Sequence, residues 1–342
     1  MQAVVYDRPG ATPVLTEVPA PVCPAHGAVI AVRATGVCRS DWHAWKGHDP
    51  VPLPNIPGHE FAGVVAQVGS AVHNFSVGDR VTVPFVNGCG QCGYCRKGQA
   101  QVCPTQTQPG FTHPGSFGEL VAVRAADFNL VRLPESVGFV AAAALGCRFA
   151  TSFHALVAQA ELGAGEWLVV FGCGGVGLSA IQVARALGAR VVAVDPSAAA
   201  RELAEQLGAE ATLAVSEPAA IADLTGGGAH VSMDAVGSAA TSGAAVRSLR
   251  RRGRHVQVGL MLAADADAGL PWGELVAKEL RVIGAHGMAA ADYPAMLAMI
   301  ADGRLDPTAL IGRIVGLPEA GAALMAMDGP AVGAGLTVVE LA

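Results

Sequence analysis

An α/β protein with a β-rich domain and a doubly wound parallel sheet is what this sequence predicts, and three observations carry the prediction. The chain has 342 residues, more than one hydrophobic core usually organises, so two domains are expected. Hydrophobic residues make up 52% and charged ones only 15%, which argues against a disordered chain and for a large buried interior. Short apolar runs cut by Gly and Pro fill the first part of the chain, as in a β-rich unit. From residue 167 onward, apolar runs alternate with helical patterns, as parallel strands joined by crossover helices do.

Charge and cysteine content narrow the function. The net charge is only −6 and the densest basic run is Arg250-Arg251-Arg252, which reads as a solvated helix end, so neither nucleic acid nor an anionic membrane is an expected partner. No basic-then-apolar leader opens residues 1–5, and Gly, Arg or Gln interrupts every long apolar stretch, so a soluble, cytoplasmic protein is expected. In that reducing setting the eight cysteines read as metal ligands rather than disulfides.

In chain order, residues 28–34, 61–68 and 80–84 read as buried strands, the last introduced by the turn Val77-Gly78-Asp79. The run Gly36-Val37-Cys38-Arg39-Ser40-Asp41-Trp42-His43 places a thiol, a hydroxyl, a carboxylate and an imidazole within eight residues. A Pro-rich link over residues 51–57 disfavours helix and leads to Gly58-His59-Glu60; far downstream comes Leu145-Gly146-Cys147. Cys38, His59 and Cys147, two sulfurs and one imidazole, have the composition of a catalytic zinc with one position left for substrate. Taken singly, each also reads as an ordinary buried residue. Cys89, Cys92, Cys95 and Cys103 follow the spacing C-x2-C-x2-C-x7-C, which closes a tetrahedron around a structural zinc. An iron–sulfur cluster or a redox dithiol is the alternative there.

Residues 141–162 are Ala-rich and read as helix, interrupted at Gly146. Strand 167–171 then runs into Gly172-Cys173-Gly174-Gly175-Val176-Gly177, helix 178–187, strand 190–194 and the acidic Asp195. A G-x-G-x-x-G in that context is a dinucleotide site, with the pyrophosphate at the helix N-terminus. Asp195 is placed to hydrogen-bond the ribose hydroxyls of NAD and to repel the extra phosphate of NADP. Further strands are expected at 211–215, 230–235, 254–259 and 280–285, with helices at 199–207 and 238–249. After His286-Gly287 come helices 293–301 and 318–327 and a strand at 336–341, a tail expected to return to the first domain and leave the active site in the cleft.

Together these residues resemble the zinc-dependent medium-chain alcohol dehydrogenases over essentially the whole chain. The resemblance implies a GroES-like catalytic domain over 1–150 with a structural-zinc lobe at 88–104, a Rossmann NAD-binding domain over 151–286, and a C-terminal return over 287–342. It places the catalytic-zinc ligands at Cys38, His59 and Cys147, and the structural-zinc ligands at the four clustered cysteines. An alcohol bound to zinc as its alkoxide would pass a hydride to NAD and leave as aldehyde or ketone, zinc acting as Lewis acid. Ser40 would accept the proton and pass it through the cofactor ribose to His43, while Arg39 would hold the pyrophosphate and Thr151 and Val176 would pack on the nicotinamide. Asp41 would hold the free N–H of His59, and Glu60 would either modulate the metal or serve as an ion-pair partner. Cys147 separates the chain from polyol dehydrogenase relatives, which often carry Glu there.

Two features depart from the family pattern. Residues 332–336 lack the basic residue that many members carry near the C-terminus, and Arg148, beside Cys147, stands where small residues are common. Arg148 would narrow the site or contact an anionic substrate. Cys23 and Cys173 read as plain small residues, and Trp42, Trp45 and Trp272 as core, with pocket lining the alternative. A homotetramer, or alternatively a homodimer, is expected, acting on a small alcohol, aldehyde or ketone.

Overall fold

The computed structural model describes residues 1–262, 265–329 and 335–341. Two compact units emerge: Met1–Ala150 with Gly287–Val332 and Leu336–Ala342, and Thr151–His286 with Gly333–Gly335.

The first unit is built on strand Ala28–Val37, apolar and almost wholly buried along its length. It lies inside a seven-stranded sheet, between Leu336–Glu340 and Glu60–Val68, and also pairs with Leu120–Val123. The strand runs three residues beyond the expected end at 34. Its last residues find partners remote in sequence, Gly36 opposite both Glu60 and Val338, and Val37 opposite Thr337, and no local pattern announces those partners. Being buried on both sides, the sheet feeds two cores, one around Tyr6, Val37, Trp45, Phe117 and Leu324, the other around Ile30, Phe61, Val65, Val81 and Val123. Each such side chain stabilises the fold by about 1.5–3 kcal/mol relative to an exposed position.

The expected helix over 141–162 is present but irregular. Helical turns Phe139–Ala143 and Ala150–His154 alternate with π turns Leu145–Phe149 and Ala155–Gln159. The break at Gly146 has a steric cause: a Cβ there would stand 2.9 Å from the Glu60 Cα. Only glycine lets the two segments approach this closely, and π turns of this kind often mark functional sites.

The second unit is a six-stranded, wholly parallel sheet, ordered Ala211–Leu213, Arg190–Val194, Trp167–Phe171, Ala229–Asp234, Leu249–Gln257, Arg281–Gly284. All five residues of Trp167–Phe171 are buried, as a central strand covered by helices on both faces requires. Helices Pro218–Thr225 and Trp272–Lys278 lie outside the sequence reading. Strand Leu249–Gln257 begins five residues before the expected 254. The arginine run is thus not a helix end. It forms the irregular start of this strand, where Arg252 adopts φ 60° and the Arg250 guanidinium donates to the carbonyls of Gly228 and Thr225. Among the described residues, no helix is long and apolar enough to cross a membrane.

Candidate active site

Cys89, Cys92, Cys95 and Cys103 bring their sulfurs within 4.8 Å of one another. Two of the separations are 3.9 Å, Cys89 to Cys95, and 3.8 Å, Cys92 to Cys103. Disulfides, at about 2.05 Å, are excluded. A tetrahedral zinc with Zn–S bonds of about 2.3 Å has S···S edges of about 3.8 Å, so the spacing fits that ion. The loop is closed at its neck by paired backbone hydrogen bonds between Asn87 and Thr107 and clamped by Asn129, whose side chain accepts from the Gly88 N–H and donates to the Gly88 carbonyl. Backbone N–H groups of Gln91 and Cys92 point at the Cys89 sulfur, 3.4 and 3.3 Å away. The Gln91 N–H leads in pulling that thiol down to about 6, whereas burial pushes Cys95 up to about 12.

Cys38, His59 and Cys147 form the second cluster, their ligand atoms again within 4.8 Å of one another. The antiparallel register Gly36↔Glu60 brings residues 38 and 59 together at the sheet end, and the π turn Leu145–Phe149 delivers Cys147. Asp41 is buried behind them. Its carboxylate accepts the His59 Nδ1–H at 2.8 Å, the Gly58 N–H at 2.9 Å and the Cys38 N–H at 3.1 Å. With Nδ1 so committed, His59 presents the lone pair of Nε2, a buried atom with no hydrogen-bond partner among the described residues. An orphaned buried nitrogen facing two sulfurs is what a metal ligand looks like without its metal, and the donor set is that of zinc. Burial works against a charge on His59, but Asp41 and Cys38 together more than offset it and hold the imidazole well above its ordinary range, so a metal bound at Nε2 would take the place of a proton. A hydrogen bond from Cys147 pulls the Cys38 thiol well down, and the same bond holds Cys147 up.

Arg148 does not project as a substrate-binding cation. Its guanidinium is buried against Glu60, the Nε–H donating to Oε1 at 3.1 Å and Nη2 meeting Oε2, while Nη1 donates to the Val37 carbonyl at 3.1 Å. Glu60 Oε1 also accepts the backbone N–H groups of Cys147 and Arg148 at 3.1 and 3.0 Å. Burial disfavours the Arg148 charge, but Glu60, with Cys38 and Cys147, outweighs it and pushes the guanidinium's pKa further up.

In the second unit, the turn at residues 172–177 leaves strand Trp167–Phe171 at the point where the strand order reverses and opens helix Gly175–Ala186. A Cβ on Gly177 would lie 1.8 Å from the Gly172 carbonyl oxygen, so the tight turn needs glycine there. Asp195, at the end of strand Arg190–Val194, accepts the Cys173 N–H at 2.7 Å and the Ser197 N–H at 2.8 Å, tying the loop to the next strand.

Residues 24–135 match the family model described as an alcohol dehydrogenase GroES-like domain, and residues 175–302 that described as a zinc-binding dehydrogenase. An alcohol dehydrogenase of Geobacillus stearothermophilus is 35% identical over 282 residues, 81% of this chain and 82% of its own. The chain belongs to the zinc-binding medium-chain alcohol dehydrogenase family. Among solved structures, alcohol dehydrogenase TADH from Thermus sp. ATN1 is similar with a TM-score of 0.92 and 31% identity, covering 100% of both chains. A structure described as an NAD-dependent alcohol dehydrogenase gives 0.89 and 26%, again over 100% of both.

The remaining residues named for this medium-chain dehydrogenase from sequence find the following places. Ser40 Oγ lies 3.8 Å from the Cys38 sulfur. His43 Nδ1 lies 3.1 Å from His48 Nδ1 at the surface, and burial, ahead of the charges of His48 and Arg39, lowers its pKa. Arg39 stacks over Trp42 and donates to the Met327 carbonyl at 2.7 Å. Thr151 is buried, and the carbonyl of Val176 accepts the Ser152 hydroxyl at 2.8 Å. Trp45 is core, whereas Trp42 is half-buried and Trp272 exposed. Burial pushes the Cys173 thiol up to about 12, which keeps it unreactive. Residues 332–334 of the tail lie outside the described residues. The sequence reading missed Phe85 and Phe111, whose rings pack edge-on to His59 at 5.9 and 5.2 Å. It also missed His48, although a second histidine five residues after His43 was a visible signal.

Proposed function

We propose that this chain is an NAD-dependent, zinc-containing alcohol dehydrogenase that interconverts an alcohol with its aldehyde or ketone, with Cys38, His59 and Cys147 holding the catalytic zinc. One observation carries the reading: two sulfurs and the unpartnered His59 Nε2 converge on one buried point, with Asp41 fixing the tautomer. The four-cysteine lobe would hold the structural zinc. When bound, zinc supplies Lewis acidity that lowers the alcohol's pKa, and NAD supplies the hydride acceptor.

The chain's own residues divide the remaining work. Asp41 orients the His59 ring and ties the Cys38 and His59 segments together. Ser40, beside Cys38, takes the hydroxyl proton of the alcohol, and His43 hands it on at the surface. Phe85 and Phe111 give the metal ligands an apolar flank, which favours an uncharged alcohol. Backbone N–H groups at the start of helix Gly175–Ala186 hold the pyrophosphate, and Asp195 holds the ribose. Arg39, Thr151 and Val176 complete the cofactor site by the family resemblance. In this reading, residues 1–150 and 287–342 form the catalytic domain and 151–286 the nucleotide domain. None of the eight cysteines is in a disulfide, and six of them stand in the two metal clusters; a cytoplasmic setting and a homotetramer or homodimer are part of the proposal.

Cys38→Ser tests the assignment. It should abolish alcohol-dependent NADH formation while leaving NADH binding, followed by fluorescence, at its wild-type affinity. Wild-type turnover in a variant that has lost one zinc ion per chain would refute it.

A further inference from the structure

The catalytic cluster draws its ligands from three separate segments, and one side chain touches the immediate neighbour of each ligand. Arg148 is itself next to Cys147, its Nη1 donates to the carbonyl of Val37, next to Cys38, and its Nε and Nη2 engage Glu60, next to His59. Glu60 closes the circuit by accepting the Cys147 N–H. We infer that Arg148 is a positioning residue that, through Glu60, keeps the three ligand segments assembled and so governs how firmly the catalytic metal is held. The inference rests on the metal-site assignment proposed above.

Three observations favour this over a role in binding substrate or in stability alone. All three nitrogens of the guanidinium are already engaged within the protein, so none is aimed at a ligand. Buried ion pairs are weak sources of stability, because desolvation cancels most of the attraction, yet space is kept for this one. A Cβ on Gly36 would stand 2.5 Å from Glu60 Oε2 and 2.9 Å from Arg148 Nη2, and one on Gly146 would strike the Glu60 backbone. Finally, the pair is neutral as a unit, so it adds geometry to the cluster without changing its net charge. Asp41 ties only the Cys38 and His59 segments; the Cys147 segment, whose Gly146 carbonyl also accepts from the Phe85 N–H and the Tyr293 hydroxyl, is linked to the other two ligand segments through Glu60 and Arg148.

The test is zinc release from the holoenzyme into an excess of a coloured chelator, with the four-cysteine site of the same chain as internal control. Arg148→Lys keeps a positive charge beside the Glu60 carboxylate but cannot reach Glu60 and the Val37 carbonyl together. Arg148→Met removes the charge, and Glu60→Gln with Arg148→Met removes the pair. In Arg148→Lys and Arg148→Met, one zinc ion per chain should leave roughly 10–100-fold faster, the usual effect of losing a group that orients a metal ligand, and the other at the wild-type rate. The double variant should match Arg148→Met, since the two residues act as one unit. Wild-type rates for both ions in Arg148→Lys overturn the inference, as does equal acceleration of both, which would mean general loosening. Should Arg148→Met fail to fold, Arg148→Lys decides. A wild-type protein lacking the second zinc ion would instead overturn the metal-site assignment itself.

Discussion

Asp41→Asn is the most searching single substitution, because it keeps the shape of the side chain and changes only its hydrogen-bonding. The carboxylate accepts three N–H groups, from His59, Gly58 and Cys38, at 2.8, 2.9 and 3.1 Å, and is only 1% exposed. An amide presents one acceptor and one donor. If its oxygen faces His59 and Gly58, its NH2 group confronts the Cys38 N–H; if reversed, it confronts His59 Nδ1 and drives the ring proton to Nε2, where the metal should sit. The first arrangement strands a buried donor, at a cost of about 1–3 kcal/mol. At about 2–4 °C per kcal/mol for a domain of this size, the melting temperature should fall by roughly 2–12 °C. The second also weakens metal affinity by roughly 10–100-fold. Thermal melts of the metal-free protein, followed by zinc titration against a competing chelator, separate the two costs. An Asp41→Asn protein with wild-type melting temperature and wild-type zinc affinity at both sites would refute the account of how His59 is held.

Three further outcomes are expected. Cys95→Ser should lose one zinc ion per chain and loosen the lobe at 88–104, seen as faster proteolysis there, while NADH affinity stays unchanged; retention of both ions would contradict the four-cysteine assignment. His255 is buried and pairs with Ser232 and Gln257, and burial lowers its pKa. The unfolded chain therefore takes up the proton first, so stability is lost as pH falls below about 6.5. His255→Asn should flatten the pH dependence of the melting temperature between neutral and mildly acid pH, and an unchanged slope would count against it. Asp195→Ala removes the acceptor for the Cys173 and Ser197 N–H groups and, on the proposed cofactor site, the charge that would face a 2′-phosphate, so the kcat/KM ratio should move towards NADP; a wild-type preference for NADP would contradict the role proposed for Asp195.

What was legible in the sequence was what depends on neighbours in the chain. Strand Trp167–Phe171 and the glycine turn after it were readable because an unbroken apolar run ends in residues that only a tight turn needs. The four cysteines of the lobe were readable because their ligands lie within fifteen residues of one another. What was not legible depends on contacts between distant segments. Strand Ala28–Val37 extends past residue 34 because Thr337 and Glu60 wait there. Gly146 looked like a weak point in a helix, and its reason is Glu60, 86 positions away. Arg148 looked like a substrate contact or an obstruction, and no local pattern shows that its charge is spent on Glu60 and Val37. The arginine run at 250–252 misled for the same reason, since its first member serves carbonyls of an adjoining turn.

The most direct test of the central claim is NADH formation, followed by near-UV absorbance, on a panel of primary, secondary, aromatic and polyhydroxy alcohols, using zinc-replete and chelator-treated protein. The account predicts turnover of simple alcohols by the zinc-replete enzyme, loss of that turnover when the ion at Cys38, His59 and Cys147 is removed, and recovery when zinc is returned. Equal turnover with and without zinc, or none on any alcohol by protein with both sites filled and NADH bound, would contradict it.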